Sequence, residues 1–142
     1  MTIADRQPRI PMTDGFTPVS RAVVIGAGTM GSGIAAHLAN CGIVVALLDR
    51  VAEGADRSAL ARTAIDRQVQ GGGFMVPEFA ARVTPGNVED DLDIVAEADW
   101  IVEAVFEDPN VKHELYAKLE GLRRPGTLVS SNTSGIPVAE LV

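Results

Sequence analysis

The chain has 142 residues, 46% hydrophobic and 22% charged, the balance of one folded domain with a real core rather than a disordered polypeptide. Nineteen acidic against twelve basic residues leave a net charge of −7, which argues against nucleic acid or an anionic membrane surface as partner. A single cysteine, Cys41, excludes an internal disulfide and fits a reducing cytosol, and only His37 and His113 could serve as imidazole ligands.

Residues 1–19, with Pro8, Pro11, Gly15 and Pro18 among polar residues, lack periodicity and read as a loose lead-in to a domain over 20–142. Ala22-Val23-Val24-Ile25 is a short apolar run of the kind a parallel strand covered on both faces shows. Met30, Ile34, Leu38 and Cys41 then recur at helical spacing, with Cys41 read as a small buried residue and Gly42 where a C-cap belongs. Residues 43–48 form a second buried strand that ends at Asp49. The uncharged run 22–48 is long enough to suggest a membrane helix. Its five glycines make strand, turn, helix and strand the better reading, and without a signal-like start the protein is expected in the cytoplasm.

A second helix follows, with Leu60, Ala64, Ile65 and Val69 facing inward and Gly71-Gly72-Gly73 ending it. Next come a short helical piece after Pro77 and a brief strand near Arg82-Val83-Thr84. The acidic cluster Glu89, Asp90, Asp91 and Asp93 reads as a solvated helix start rather than a metal site. Trp100 to Val105 is a further strand, and Asp108-Pro109 supplies an N-cap and first-turn proline for a helix with the stripe Val111, Leu115, Leu119 and Leu122. Pro125-Gly126 turns the chain into a strand over Thr127 to Ser130, and a last helix starts near Pro137. Strands alternating with helices define an α/β fold with a doubly wound parallel sheet. Val142 follows Pro137 too closely for an ordinary helix of about eleven residues, so the fold is expected to be truncated at its C-terminus.

Gly26-Ala27-Gly28-Thr29-Met30-Gly31 is G-x-G-x-x-G between a strand and a helix. Gly26 permits a tight turn, Gly28 lets backbone N–H groups approach a diphosphate, and Gly31 lets helix and strand pack closely. The following helix N-terminus offers free N–H groups and the positive end of its dipole. Asp49, about 20 residues on, stands where a carboxylate accepts both ribose hydroxyls and repels a 2′-phosphate, which favours NAD over NADP. Arg50 is a mild counter-signal. Two more segments should reach the same sheet edge: Glu103 to Glu107 followed by Lys112, and Ser130-Ser131-Asn132-Thr133-Ser134. The second could orient a substrate oxygen or the nicotinamide amide, or it could simply cap the next helix.

Val23 to Asp49, Asp99 to Glu107 with Lys112, and Ser131-Asn132-Thr133-Ser134 together resemble the NAD-binding domain of 3-hydroxyacyl-CoA dehydrogenases over about Arg21 to Val142. The stretch 131–137 looks most like the large bacterial members that append an enoyl-CoA hydratase-type region. The resemblance implies a Rossmann-type fold with Gly26, Gly28, Thr29 and Gly31 in the cofactor loop, and Met30 and Asp49 on the adenosine half of NAD. It places Val105, Phe106, Glu107 and Lys112 along the ribose and nicotinamide side. It also puts Ser134 beside the nicotinamide and the substrate's 3-oxygen, with Asn132 helping to set the site. In the family a hydride passes from the third carbon of a 3-hydroxyacyl-CoA to NAD while a glutamate-oriented histidine removes the hydroxyl proton. That histidine, its glutamate and a helical substrate and homodimerisation domain are expected beyond Val142, and His113, which precedes the Asn-Thr-Ser segment, cannot substitute. The 142 residues alone are therefore expected to bind NAD without turnover, with acyl-CoA engaged by the complete enzyme. The alternatives are a 3-hydroxyisobutyrate-type dehydrogenase and a non-catalytic NAD-binding module.

Overall fold

A computed structural model describes residues 17–140, so the lead-in expected over 1–19 lies mostly outside the described residues. Five strands, β1 (Arg21–Ile25), β2 (Val44–Asp49), β3 (Val83–Asn87), β4 (Trp100–Glu103) and β5 (Leu128–Ser131), form one sheet in the order β3-β2-β1-β4-β5. Every pairing is parallel, as expected. Helices α1 (Thr29–Asn40) and α2 (Ala59–Gln70) follow β1 and β2, and α3 (Pro109–Leu122) joins β4 to β5. Shorter 3-10 segments cover Pro77–Arg82, Leu92–Glu97 and Val138–Glu140.

Alternation along each strand feeds two cores. Val24, Val45, Leu47, Val83 and Val102 point to the face packed by α1 and α2. Val23, Ile25, Ala46, Leu48 and Ile101 point to the face packed by α3 and Leu92–Glu97. Because both faces are covered, the strands read as near-continuous apolar runs. The strand order reverses between β1 and β4, and in open parallel sheets ligands bind beyond the strand ends at such a switch point. Register brings Asn87, Asp49, Glu103 and Ser131 to that one edge, with Asp49 opposite Asn87 and Glu103 opposite Ser131.

Local signals act where they were expected. Gly42 has φ +85°, its N–H reaches the Ala39 carbonyl at 3.0 Å, and Ile43 N–H reaches Leu38 at 3.1 Å, a double closure of the α1 C-terminus. The Asp108 carboxylate accepts from Asn110 N–H at 2.9 Å ahead of Pro109 in the first turn of α3.

The helix faces differ from expectation. On α1 the sheet-facing residues are Ser32, Ala35, Ala36, Leu38 and Ala39, while Met30 and Cys41 are exposed. On α2, Ala61 is buried with Ala64 and Ile65, while Leu60 is half-buried and Val69 exposed. Both helices lie close to the sheet or to each other, and alanine fits such contacts better than a larger side chain. On α3, Leu115 and Leu119 are buried as expected, but Val111 and Leu122 are exposed and Lys112 takes an inward position. Strand β4 ends at Glu103 rather than Val105, and the last helix is a short 3-10 turn.

One carboxylate fastens the base of the sheet. Asp99 Oδ2 accepts from Ser20 N–H, Ser20 Oγ and Arg21 N–H at 2.9, 3.0 and 3.0 Å, and Oδ1 accepts from Arg124 at 3.1 Å. The two backbone N–H groups, followed by the Ser20 hydroxyl, lower its pKa from 3.8 to about 2. A carboxyl depressed in the folded state stabilises the fold at neutral pH, and the effect is lost as pH falls from about 4 through about 2. Asp99→Asn should therefore lower the melting temperature at pH 7 and make acid destabilisation in that window shallower, as followed by circular dichroism melts across pH. Parallel pH curves for variant and wild type would contradict this account.

Candidate functional site

The glycine turn is built by exclusion of side chains. Gly26, at φ +109°, lies so close to β4 that a Cβ there would sit 2.4 Å from the Ala104 carbonyl oxygen. A Cβ on Gly31 would sit 1.6 Å from the Gly26 oxygen, so α1 starts directly against the turn. Gly28 is different, because a Cβ there meets nothing within 4 Å and φ of −72° suits any residue. The fold itself gives no reason for glycine at 28, which leaves open space beside the turn. Gly28 precedes α1 with no side-chain cap, leaving first-turn N–H groups aimed outward.

Asp49 faces this turn. Its Oδ2 accepts from Ala27 N–H at 2.6 Å and its Oδ1 from Arg50 N–H at 2.7 Å, and each oxygen keeps a lone pair for a further donor. Gly26 N–H is used by the Leu48 carbonyl at 2.7 Å, which draws the turn onto the end of β2. Thr29 and Met30 are exposed in the first turn of α1. Arg67 of α2, not singled out in the sequence, brings a guanidinium nitrogen to 3.5 Å from the Ala27 carbonyl oxygen.

On the other side of the switch point, Val105 is half-buried and Phe106 is 87% exposed at the edge. Glu107 is exposed, with Oε1 accepting from Ser134 N–H at 3.1 Å, which joins the two expected segments. Asn132 continues the β4–β5 ladder through N–H to the Glu103 carbonyl at 2.8 Å, and both Asn132 and Ser134 are exposed. An open groove of about 500 Å³ runs from Met30 and Gly33 on α1 past Trp100 and Val102 to Ser130 and Asn132. His37 lines its far end, and the Trp100 indole donates to Ser130 Oγ at 2.9 Å.

Lys112, expected to line the ribose side, is 1% exposed, and its ammonium group lies beneath the loops of this edge, 2.7 Å from Glu103 Oε1 and hydrogen-bonded to the Thr133 hydroxyl. Glu103 heads the segment expected to reach this edge, but its pairing with Lys112 and the flanking Tyr116 are not read from the sequence. A signal did exist: Lys112 falls three residues before Leu115 on the apolar stripe, and Glu103 is the only charged residue inside β4. Charges in such positions are buried only in pairs. The acidic cluster is likewise engaged by neighbours. Arg57 holds Asp90 at 2.7 Å and Glu89 at 3.2 Å, and Asn87 also donates to Asp90.

A nucleotide-binding α/β domain with a glycine turn, a facing carboxylate and a polar second edge is the class that this geometry defines. Within it, the chain belongs to the family described as 3-hydroxyacyl-CoA dehydrogenase, NAD binding domain, which matches residues 21–142. A probable 3-hydroxyacyl-CoA dehydrogenase of Deinococcus radiodurans is 42% identical over 123 residues, 84% of this chain and 36% of that protein. A protein of the same description from Bacillus subtilis strain 168 is 42% identical over 142 residues, 87% of this chain and 18% of the relative. The crystal structure of 3-hydroxybutyryl-CoA dehydrogenase from Escherichia coli K12 aligns with a TM-score of 0.70 at 32% identity, over 88% of this chain and 27% of that one. The chain thus spans 36% or less of the length of each of these proteins. Its cofactor is NAD by family, and the Rossmann-type sheet is the fold of its relatives.

The two kinds of glycine separate experimentally. Gly31→Ala should destabilise the chain by about 3 kcal/mol or more, because the displaced atom is backbone. Gly28→Val should melt with the wild type yet bind NAD about tenfold more weakly or worse. Melting curves together with NAD titration check both, and unaltered NAD affinity in Gly28→Val would remove the role given to that position.

Proposed function

We propose that these residues carry NAD in the oxidation of a 3-hydroxyacyl thioester of coenzyme A to the 3-oxoacyl thioester, a step of fatty-acid β-oxidation. The observation that carries the reading is the Asp49 carboxylate held at the glycine turn beside the unfilled space at Gly28. The α1 N-terminus and the Gly26–Gly31 turn would take the diphosphate on main-chain N–H groups, and Asp49 would accept the adenosine ribose hydroxyls, with Met30 against the adenosine half. When bound, NAD supplies the hydride acceptor. Val105, Phe106 and Glu107 would line the nicotinamide side, and Ser134, with Asn132, would orient the substrate's 3-oxygen.

Deprotonating the 3-hydroxyl requires a base. His113 is exposed on α3, the helix before the Asn-Thr-Ser segment, and a histidine from elsewhere in the longer protein fills the role in this proposal. Glu107 is an exposed carboxylate that accepts from Ser134 N–H, whereas Glu103 is consumed by its neighbours, and the glutamate that orients such a histidine is likewise assigned in this proposal to elsewhere in the longer protein. The acyl-CoA and any second copy of the protein would be engaged largely by other parts of the longer polypeptide. A cytoplasmic location belongs to the same proposal, supported by the lone cysteine. Among the described residues no helix is long and apolar enough to cross a membrane.

Calorimetric titration with NAD and NADP tests the reading. NAD should bind at least about tenfold more tightly than NADP. Asp49→Asn retains an oxygen for Ala27 N–H but loses the charge, so it should cost NAD about 1.5–3 kcal/mol while sparing NADP. Equal affinities in the wild type would remove the role of Asp49, and binding of neither dinucleotide would remove the proposal.

A further inference from the structure

Two charges are buried where the core could do without them. Glu103 and Lys112 are 0% and 1% exposed in a layer otherwise built from Ile25, Ile101, Leu115 and Leu119. Desolvating such a pair costs several kcal/mol per ion, and well-packed apolar residues of the same size are often as stabilising or more so. What distinguishes the pair is the set of bonds leading upward from it. Glu103 Oε1 accepts from Lys112 at 2.7 Å and from Val105 N–H at 2.8 Å. Its Oε2 accepts from the Ser131 and Tyr116 hydroxyls at 2.5 and 3.2 Å. The Lys112 ammonium donates to the Thr133 hydroxyl and, at 3.5 Å, to the Val105 carbonyl, while Thr133 N–H donates to Ser131 Oγ at 3.0 Å. The Glu103 main-chain carbonyl accepts from Asn132 N–H.

Both segments leaving the sheet edge on this side, 104–107 and 132–134, are thus tied to one residue. None of these bonds involves the glycine turn or Asp49, which are held by their own contacts with Leu48 and Ala27.

We infer that Glu103 is a positioning residue for the nicotinamide half of the cofactor, acting through Lys112 and Ser131 to fix the loops that carry Val105–Glu107 and Asn132–Ser134. The inference rests on the NAD reading above. Glu103 is enclosed and touches no ligand itself, so its effect must appear as selective loss of one half of the binding energy. The adenosine diphosphate half, seated on the opposite side of the switch point, is left intact.

The test compares NADH with ADP, which carries the adenosine and diphosphate but no nicotinamide. Both are titrated into the wild-type chain, Glu103→Gln and Thr133→Val. The wild type should bind NADH more tightly than ADP. In Glu103→Gln that advantage should shrink about tenfold while ADP affinity stays within about twofold. Thr133→Val, which removes one partner of the ammonium without stranding a carboxylate, should shift NADH in the same direction and spare ADP. It decides the matter alone if Glu103→Gln fails to fold. Equal losses for both ligands, or an unchanged NADH advantage in a folded variant, would overturn the positioning role. Wild-type protein that bound neither ligand would overturn the NAD reading and this inference with it, a result distinguishable from the others because it needs no variant.

Discussion

The contact between α1 and the glycine turn governs the upper edge of the sheet. A helix N-terminus serves an anion only if its free N–H groups reach the ligand, and here that means starting the helix immediately beyond β1. Gly31 permits this by having no side chain to strike the Gly26 carbonyl, and Gly26 permits it by fitting under Ala104 at φ +109°. The same crowding explains why α1 presents Ala35, Ala36 and Ala39 inward and leaves Met30 outside. Close approach at one end of a rigid helix favours small residues over most of its inner face, with Leu38 the larger exception near its far end.

Asp49 adds the second constraint. Its bond to Ala27 N–H joins the end of β2 to the middle of the turn, so carboxylate and anion cradle are held as one unit. A charge-assisted bond of this kind spends one lone pair and fixes the direction of the others. The carboxylate is therefore oriented by the fold itself. Across the switch point the arrangement is reversed in kind: the structural carboxylate, Glu103, is buried, and the exposed Glu107 hangs from a loop tethered to it.

Much of this was legible in the residues. Apolar runs bounded by glycine or proline marked four of the strands closely, because a sheet covered on both faces needs continuous burial and its turns need special backbone. The G-x-G-x-x-G spacing and Asp49 were legible because each has a single geometric purpose. The inner faces of α1 and α2 were harder to read. Alanine carries little hydrophobic signal, so Ala61 was overlooked beside Leu60, although a tight helix contact selects for smallness over apolarity. The burial of Lys112 was only partly legible: its place three residues before Leu115 on the stripe hints at an inward position, but the pairing depends on Glu103 meeting it from a neighbouring element, a fact of register and helix packing.

The halves of the sheet consequently answer different physical problems. In the function proposed, the β1–β2 half would take groups common to many nucleotides, a diphosphate and a ribose, on main-chain N–H groups and one carboxylate, all carried by rigid elements. In that function the β4–β5 half would have to hold a reactive ring and a substrate oxygen in register, where misplacement of about 1 Å can cost a hundredfold in rate. Its binding groups lie on loops, which are intrinsically mobile unless tied down. Apolar packing could stabilise those loops but would specify their conformation poorly, because it is nearly non-directional. Hydrogen bonds radiating from one enclosed carboxylate are directional, and in a low-dielectric interior breaking any of them leaves a polar group unsatisfied. The desolvation cost of the Glu103–Lys112 pair is thus offset by conformational precision at the one part of the edge where geometry, rather than affinity alone, determines the outcome.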